Sequence, residues 1–165
     1  MQLAVVADSH IPGRANGIPV DFNERIRAAD HVVHAGDFTS PEALDDFRAL
    51  SHELTAVYGN MDPRDLDLPP VSTLSIEGVT FLVTHGTGPP RSYEDRVAEL
   101  VRREGGAGAV GIAGHTHEVL DAEIDGVRLL NPGSVTGAAP ADRATMMTLD
   151  VRGGEAGVTV HALDR

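Results

Sequence analysis

The sequence predicts an α/β fold in which two β-sheets pack face to face and helices cover their outer surfaces, an αββα sandwich formed as one domain over residues 1–165. Two observations favour this class. Short apolar runs alternate with amphipathic segments in the first half, as in β-α-β units. From residue 118 onward the chain consists of strand-like runs separated by glycine turns.

The first half predicts three strands and two helices. The strands are expected at residues 3–7, 31–37 and 53–60, and the helices at 20–30 and 39–50. The run LAVVA (3–7) is apolar throughout, as expected of a strand buried on both faces. The second helix has Ser40 as N-cap and Pro41 at its first position, which is a strong start signal.

The second half predicts a helix among many strands. Residues 71–86 are typical of a hairpin with its turn at Glu77-Gly78. A helix is expected at 92–106, with Ser92 as N-cap and glycines at its end. Further strands are expected at 109–114, 118–124, 127–130, 143–150 and 157–163.

Composition excludes several classes of protein. No apolar run approaches the ~20 residues of a transmembrane helix, and no signal peptide is expected at the N-terminus. The absence of cysteine excludes disulfides and thiolate metal sites, and it favours a cytoplasmic location. A formal net charge of -12 argues against strong nucleic-acid binding.

Polar side chains follow five of the predicted strands where each strand ends. They are Asp8, His10, Asp37, Asn60, His85, His115 and His117. Ligands in α/β sheets bind outside the carboxyl ends of strands, so these groups are expected to meet at one edge. We expect His115 and His117 to converge on one point, because residues i and i+2 of a strand face the same side.

This set of oxygen and nitrogen ligands suits borderline divalent cations such as Mn²⁺, Fe²⁺, Co²⁺, Ni²⁺ or Zn²⁺. Seven ligands are more than one tetrahedral zinc takes, and they suffice for two ions if one carboxylate bridges them. Phosphatases and nucleases use two such ions to clamp the attacking and leaving oxygens.

The order of short motifs resembles that of calcineurin-like metallophosphoesterases. The motifs are D-x-H at 8–10, G-D at 36–37, G-N-x-D at 59–62, H-G at 85–86 and G-H-T-H at 114–117. Residues 3–150 are most similar to the small, cap-less microbial phosphodiesterase branch, and DSHIPGRANGIP and NPGSVTG add to that similarity. The resemblance implies one ion held by Asp8, His10 and His117, a second held by Asn60, His85 and His115, and Asp37 as the bridge.

The resemblance further implies a metal-dependent phosphoric ester hydrolase, and a phosphodiesterase in particular. A metal-bridging hydroxide is expected to attack phosphorus in line. Asp37, Asn60 and Asp62 are the expected catalytic residues, with Asp62 orienting a neighbouring group or, alternatively, capping the turn before Pro63. Manganese is the first expectation for the metal and a small phosphate ester for the substrate, while the oligomeric state is left open.

One position departs from the wider family. Many members have His where this chain has Met61, and that His can protonate the leaving group. The small phosphodiesterase branch also lacks it. His34 is the nearest spare donor, or else a plain strand-end histidine. Arg14 is a candidate contact for substrate phosphate or a solvated loop residue. Asn131 and Ser134, in a turn, are candidates to support the site.

Three other functions share features with this sequence. The first is a non-catalytic scaffold for protein–protein interaction, because a eukaryotic retromer subunit resembles this fold and has lost part of the metal set. The second is a phosphomonoesterase or nucleotidase. The third, a metallo-β-lactamase-type hydrolase, needs His-x-His-x-Asp-His in one stretch, which Glu118-Val119-Leu120 interrupts.

Overall fold

The computed structural model describes residues 1–164, which form two five-stranded sheets and three α-helices. The strands are β1 Gln2–Val6, β2 His31–His34, β3 Leu54–Ala56, β4 Val71–Ile76, β5 Val79–Thr84, β6 Val110–Ile112, β7 Val119–Ile124, β8 Val127–Pro132, β9 Ala144–Arg152 and β10 Glu155–Leu163. The helices are α1 Val20–Ala28, α2 Pro41–Leu50 and α3 Tyr93–Leu100.

Each sheet combines three neighbouring parallel strands with two strands that pair antiparallel. The first sheet has the order β10-β9-β1-β2-β3, and its strands β1, β2 and β3 are parallel. The second has the order β4-β5-β6-β8-β7, and its strands β5, β6 and β8 are parallel. The sandwich expected from the sequence is confirmed.

Three apolar layers hold the sheets and helices together, one between the sheets and one on the outer face of each sheet. Between the sheets, Val5 of β1 packs in one cluster with Phe81 of β5 and Ile112 of β6. On the outer face of the first sheet, Val6 packs with residues of α1 and α2. Because alternate residues of β1 enter different layers, Leu3 through Ala7 are all 0% exposed, which explains the uninterrupted apolar run.

The predicted strands 31–37 and 53–60 are too long. β2 ends at His34 and β3 at Ala56, because the residues that follow leave the sheet ladder to form the loops of the site. Gly36, for example, has φ 101°. A polar cluster at the end of a strand therefore marks loop rather than strand.

The two helix caps predicted from serine differ in outcome. Ser40 accepts a hydrogen bond from the Ala43 amide at 3.1 Å and caps α2 as expected. Ser92 occupies the N-cap position of α3 as predicted, but its hydroxyl accepts from Arg96 Nε at 3.0 Å and makes no cap bond. The third helix is α-helical only to Leu100 and ends in a π-helical turn, Val101–Gly105.

None of the helices within residues 1–164 combines the length and the apolar character that crossing a bilayer requires.

Candidate metal centre

The loops that follow the parallel strands bring two carboxylates and three imidazoles into contact. Asp8 and His10 follow β1, Asp37 follows β2, His85 follows β5 and His117 follows β6. All five residues are buried. These strand ends meet at one edge of the sandwich, as expected from the sequence.

The first group that can hold a metal consists of Asp8, His10 and His117, whose ligand atoms all lie within 4.8 Å of one another. Asp8 Oδ1 is 3.5 Å from His117 Nε2 and 3.8 Å from His10 Nε2. These are the three residues that the resemblance implies for one ion.

The second group consists of Asp8, Asp37 and His85. Asp37 Oδ2 lies 3.2 Å from His85 Nε2 and 3.4 Å from His10 Nε2, so this one oxygen contacts members of both groups. Asp8 Oδ1 is likewise shared, at 3.8 Å from His85 Nε2. Both carboxylates stand between the two groups of imidazoles.

His115 and Asn60 lie beside the second group rather than within it. His115 Nδ1 is 3.2 Å from Asn60 Oδ1, its Nε2 is 3.2 Å from the Gly88 carbonyl, and its ring centroid is 5.2 Å from that of His85. The expectation that His115 and His117 converge on one point is wrong. β6 ends at Ile112, and both histidines have positive φ (76° and 64°), so their side chains part toward different neighbours.

The chemistry of the buried atoms fits divalent cations. Asp8 Oδ1, His10 Nε2 and His85 Nε2 are buried with no hydrogen-bond partner among residues 1–164, although they face one another across the two groups. Leaving such atoms unpaired typically costs ~1–3 kcal/mol each. A cation between them satisfies lone pairs that no protein donor reaches.

Backbone carbonyls orient two of the imidazoles for this purpose. His85 Nδ1 is 2.7 Å from the Ala35 carbonyl, and His117 Nδ1 is 2.8 Å from the Ala138 carbonyl. A carbonyl only accepts, so each Nδ1–H donates, and in the neutral ring the Nε2 lone pair faces the carboxylates. This is the tautomer that a metal ligand needs.

The electrostatics couple these groups. Burial favours neutral Asp8, yet the neighbouring imidazoles of His10 and His117 outweigh it and hold the pKa of Asp8 well below its usual value. Burial also favours neutral His85, whereas the adjacent Asp37 and Asp8 carboxylates raise its pKa to about 8. Burial favours neutral Asp37 too, but the His85 ring and the Met61 amide lower its pKa, so Asp8 and Asp37 are both ionised at neutral pH, as cation binding requires.

Backbone strain is concentrated at the same place. Positive φ angles occur at five of the predicted ligands: Asp8 (53°), His10 (47°), Asp37 (65°), His115 (76°) and His117 (64°). Such conformations in non-glycine residues cost ~1–3 kcal/mol each and accumulate at functional sites. They aim side chains that a regular strand would direct elsewhere.

Asp62 joins two of the loops through its carboxylate. Its oxygens accept from the amides of Asp37 (3.0 Å), Thr39 (2.8 Å) and Gly59 (2.8 Å). Asp62 thus lies beneath the ligands and holds Asp37 in place, which agrees with the orienting role expected for it.

Residue 59 must be glycine because its backbone lies too close to Asp37 for a Cβ to fit. A Cβ at this position would lie 2.2 Å from Asp37 Oδ1 and 2.4 Å from the Asp37 amide nitrogen. The G-D and G-N-x-D motifs therefore interlock, and a side chain at Gly59 would displace the carboxylate shared between the two groups.

Comparison with known proteins agrees with this geometry. Residues 1–154 match the family model described as a calcineurin-like phosphoesterase superfamily domain. A probable metallophosphoesterase from Methanothermobacter thermautotrophicus is 34% identical over 148 residues, which cover 89% of this chain and 84% of that protein. The chain belongs to the calcineurin-like phosphoesterase superfamily.

Two further proteins add to this comparison. A phosphodiesterase from Methanocaldococcus jannaschii is 28% identical over 152 residues, covering 83% of this chain and 86% of that protein. The crystal structure of Vps29 from Chaetomium thermophilum has a TM-score of 0.84 at 22% identity, covering 99% of this chain and 97% of that one. The latter shares the fold.

Sequence reasoning missed one residue that supports the phosphoesterase site. Tyr93, at the start of α3, donates its hydroxyl to the Gly114 carbonyl at 2.7 Å and accepts from Asn131 Nδ2 at 3.1 Å. Asn131 also donates to the Gly114 carbonyl at 3.1 Å. Together they anchor the segment before His115. Tyr93 lies on the apolar face of a helix, so its position in the sequence resembles that of a core residue.

The turn after β8 supports the site as the sequence suggested. Ser134 Oγ donates to the Asp8 carbonyl at 2.7 Å and accepts from the Ala138 amide at 2.8 Å, and it thereby ties the loop of one sheet to the loop of the other. β8 is a sixth parallel strand whose carboxyl end reaches this edge of the sandwich.

His34 is a structural residue in this phosphoesterase. It is fully buried, stacks on Phe38 with ring centroids 3.6 Å apart, and burial lowers its pKa to about 3. Its Nδ1 accepts from the Gly36 amide, so Nε2 donates to Ser9 Oγ. The alternative in which His34 protonates a leaving group is wrong, because the ring reaches no solvent.

Arg14 and Met61 contribute through less specific contacts. Arg14 is exposed and donates from Nη1 to the Ala139 carbonyl at 2.8 Å, which connects two loops at the rim of the site. The Met61 side chain is 50% exposed, whereas its amide donates to Asp37 Oδ1 at 2.9 Å. Met61 thus contributes to the site through its backbone amide.

Proposed function

We propose that this chain is a dinuclear metal-dependent phosphoesterase, and a phosphodiesterase in particular. Membership of the superfamily and the names of the relatives support a phosphoester hydrolase. The observation that carries the proposal is a set of buried ligand atoms without hydrogen-bond partners, gathered around the carboxylates of Asp8 and Asp37. These atoms are Asp8 Oδ1, His10 Nε2 and His85 Nε2.

The assignment of ligands to two ions is the one that the resemblance implies, and the contacts of the site support parts of it. We assign one ion to Asp8, His10 and His117, and the other to Asn60, His85 and His115, with Asp37 shared. The contacts of Asp37 Oδ2 with both His10 and His85 support the shared role. The contact of His115 with Asn60 supports placing those two on the same ion.

Bound divalent ions supply Lewis acidity and lower the pKa of water, which is the chemistry that hydrolysis of a phosphate ester needs. The chain orients the ligands for it. The Met61 amide fixes one oxygen of Asp37, and the His115 amide fixes Asp8 Oδ2 at 3.0 Å. The two carboxylates offset only half the charge of two divalent ions, so the pocket attracts phosphate although the protein is acidic.

Leaving-group protonation limits the substrates. Methionine has no proton to give, and the Met61 side chain points to solvent. General-acid help is typically worth ~10²–10⁴-fold, so esters whose alcohol leaves readily are favoured. Aryl diesters such as bis(p-nitrophenyl) phosphate are suitable first substrates.

A grid of metals and substrates tests the proposal. Metal-free protein is supplied with Mn²⁺, Ni²⁺, Co²⁺, Fe²⁺ or Zn²⁺ and assayed on bis(p-nitrophenyl) phosphate and on p-nitrophenyl phosphate. We expect metal-dependent turnover, faster on the diester, with manganese most effective. Asp37→Ala and His115→Ala should lose most of the rate, whereas Asp45→Ala on exposed α2 should retain it. Full rate in either ligand variant contradicts the assignment.

The likeness to Vps29 favours a second candidate, a non-catalytic scaffold that uses this fold for protein–protein binding. The same experiment separates the two. Absence of bound metal together with absence of turnover in Mn²⁺ supports the scaffold, and faster turnover of the monoester supports a phosphomonoesterase or nucleotidase. A cytoplasmic location and any homo-oligomer remain predictions.

A further inference from the structure

A groove of about 470 Å³ lies beside the metal centre. His115 belongs to both, because its Nδ1 contacts Asn60 in the centre and its ring lines the groove. Thr116, in the same loop, also lines the groove. A phosphate ester bound at the metal centre therefore has this space directly next to it.

Much of the groove wall is apolar. Its apolar lining residues are Pro90, Tyr93, Val119, Leu120 and Pro140. Val119 is 42% exposed, one of the few large apolar side chains of the described residues that reach solvent. The Tyr93 hydroxyl is bound to the Gly114 carbonyl, so Tyr93 brings an aromatic ring to the wall rather than a free donor.

The charged residues of the groove are mostly acidic. Glu94, Asp95 and Glu118 are exposed carboxylates in its lining, and Arg91 is the one cationic side chain among the lining residues. The groove therefore carries a local excess of negative charge on a chain whose net charge is already -12. A second anionic group entering it would be repelled, whereas a neutral or cationic group would not.

We propose that the groove holds one of the two alcohol arms of a phosphodiester and selects arms that are partly apolar and uncharged or cationic. Arms that carry a further phosphate, as in an oligonucleotide, are disfavoured. The inference rests on the proposed phosphodiesterase function and adds the class of substrate.

A second cavity offers the competing location. It measures about 340 Å³ and is lined by Asn60 and His85 of the centre and by Tyr58, Thr87 and Arg96. The Arg96 guanidinium there already donates to the Thr87 carbonyl at 2.9 Å and to Ser92 Oγ at 3.0 Å. An anionic arm would prefer this cavity, because its charged lining residue is a cation.

Two substrates that differ by one phosphate test the selectivity. They are thymidine 5′-(p-nitrophenyl phosphate) and the same compound with a 3′-phosphate, and p-nitrophenylphosphocholine adds a cationic arm. With the manganese-loaded protein at low salt, we expect kcat/KM to fall about tenfold on adding the 3′-phosphate and to be highest for the choline arm. High salt should narrow the difference, because the carboxylates are exposed.

Paired variants locate the effect. Glu94→Gln/Glu118→Gln removes two carboxylates from the groove, and Glu99→Gln/Glu123→Gln removes two from α3 and β7 outside it. Both pairs change the net charge equally. The groove pair should reduce the discrimination to about threefold or less, while the control pair should leave it near the wild-type value.

A binding measurement gives a readout that does not depend on turnover. The ¹⁵N-labelled protein is loaded with a diamagnetic ion such as Zn²⁺ and titrated with phosphocholine. The amide NMR signals of Thr116, Glu118 and Val119 should then shift. Shifts at Tyr58, Thr84 and Leu100 instead place the arm in the second cavity and overturn the inference. Equal kcat/KM for the two thymidine substrates also overturns it. Failure to hydrolyse any diester, including bis(p-nitrophenyl) phosphate, refutes the proposed function itself.

Discussion

At the scale of single residues, the site depends on side chains that position ligands as much as on the ligands. Asp62 accepts three backbone N–H groups from the two loops that carry Asp37 and Asn60. Burial raises the pKa of Asp62, and the three backbone donors oppose that shift. Asp62 thus fixes the positions of these two loops around the Asp37 carboxylate.

Replacing Asp62 with Asn should weaken metal binding without unfolding the protein. An amide supplies one acceptor oxygen, and its NH₂ group would face backbone N–H donors. Substitutions behind metal ligands typically cost ~10–100-fold in affinity or activity, and we expect a loss in that range for Asp62→Asn. Metal content after dialysis and turnover of bis(p-nitrophenyl) phosphate measure it. Asp65→Asn, at an exposed position nearby, is the control and should match the wild type in both.

The raised pKa of His85 predicts a pH dependence of metal binding. Its pKa is about 8 in the metal-free protein, so the ring is mostly protonated at pH 6–7 and must lose that proton to bind a cation. Apparent affinity should therefore rise with pH and level off above about 8. Calorimetric titration with Mn²⁺ at pH 6.5, 7.5 and 8.5 measures this affinity. At the lowest pH, metal binding should release on the order of one proton from His85. An affinity that is constant over this range contradicts the role of His85.

The sequence could predict which residues form the centre but not how each side chain is aimed. Position after an apolar run identified Asp8, His10, Asp37, His85 and His117, because strand ends meet at one edge. The left-handed conformations of His115 and His117 depend on the loop as a whole, and they separated two side chains that the i, i+2 rule had put together. Tyr93 was missed because its helical spacing is that of a core residue.

At the scale of elements, the loops after β2 and β3 pack directly against each other. Gly59 lies against Asp37, with room for no Cβ between them. The short β2 and β3 end early so that these two loops can turn inward. The sequence placed these strands correctly and overestimated their length, because apolar runs continue into buried loop residues such as Ala35 and Val57.

Gly59→Ala should disturb the centre more than its size suggests. The added methyl would meet Asp37 Oδ1 at 2.2 Å, so the carboxylate must move away from His10 and His85. We expect most of the bound metal and of the metal-dependent activity to be lost. Gly13→Ala is the matched control, since a Cβ there has nothing within 4 Å. Equal metal content in the two variants contradicts the interlocking of the loops.

At the scale of the whole molecule, the two sheets are joined both by their apolar interface and by the metal centre. Asp8, His10 and Asp37 come from the first sheet, and His85 and His117 from the second. Cations bound between them would therefore link the sheets at one edge. The αββα class was predictable because the β-α-β pattern and the strand-rich second half each allow few arrangements.

Metal binding should raise the thermal stability of the whole fold. A ligand at ~100 times its Kd stabilises by about 2.7 kcal/mol, which corresponds to a rise in Tm of roughly 5–10 °C for a chain of this size. We expect Mn²⁺ to raise Tm, measured by circular dichroism, and a chelator to reverse the rise. Asp37→Ala should abolish the response, whereas Asp45→Ala on the surface of α2 should respond like the wild type. An unchanged response in Asp37→Ala contradicts a centre that joins the sheets.

Anomalous diffraction from manganese-soaked crystals would locate the pair of cations proposed around Asp8 and Asp37. We predict two anomalous peaks about 3.5–4 Å apart. One should be bounded by His10 and His117 and the other by His85, His115 and Asn60. A single peak, or peaks away from these side chains at saturating manganese, would rule out the dinuclear centre.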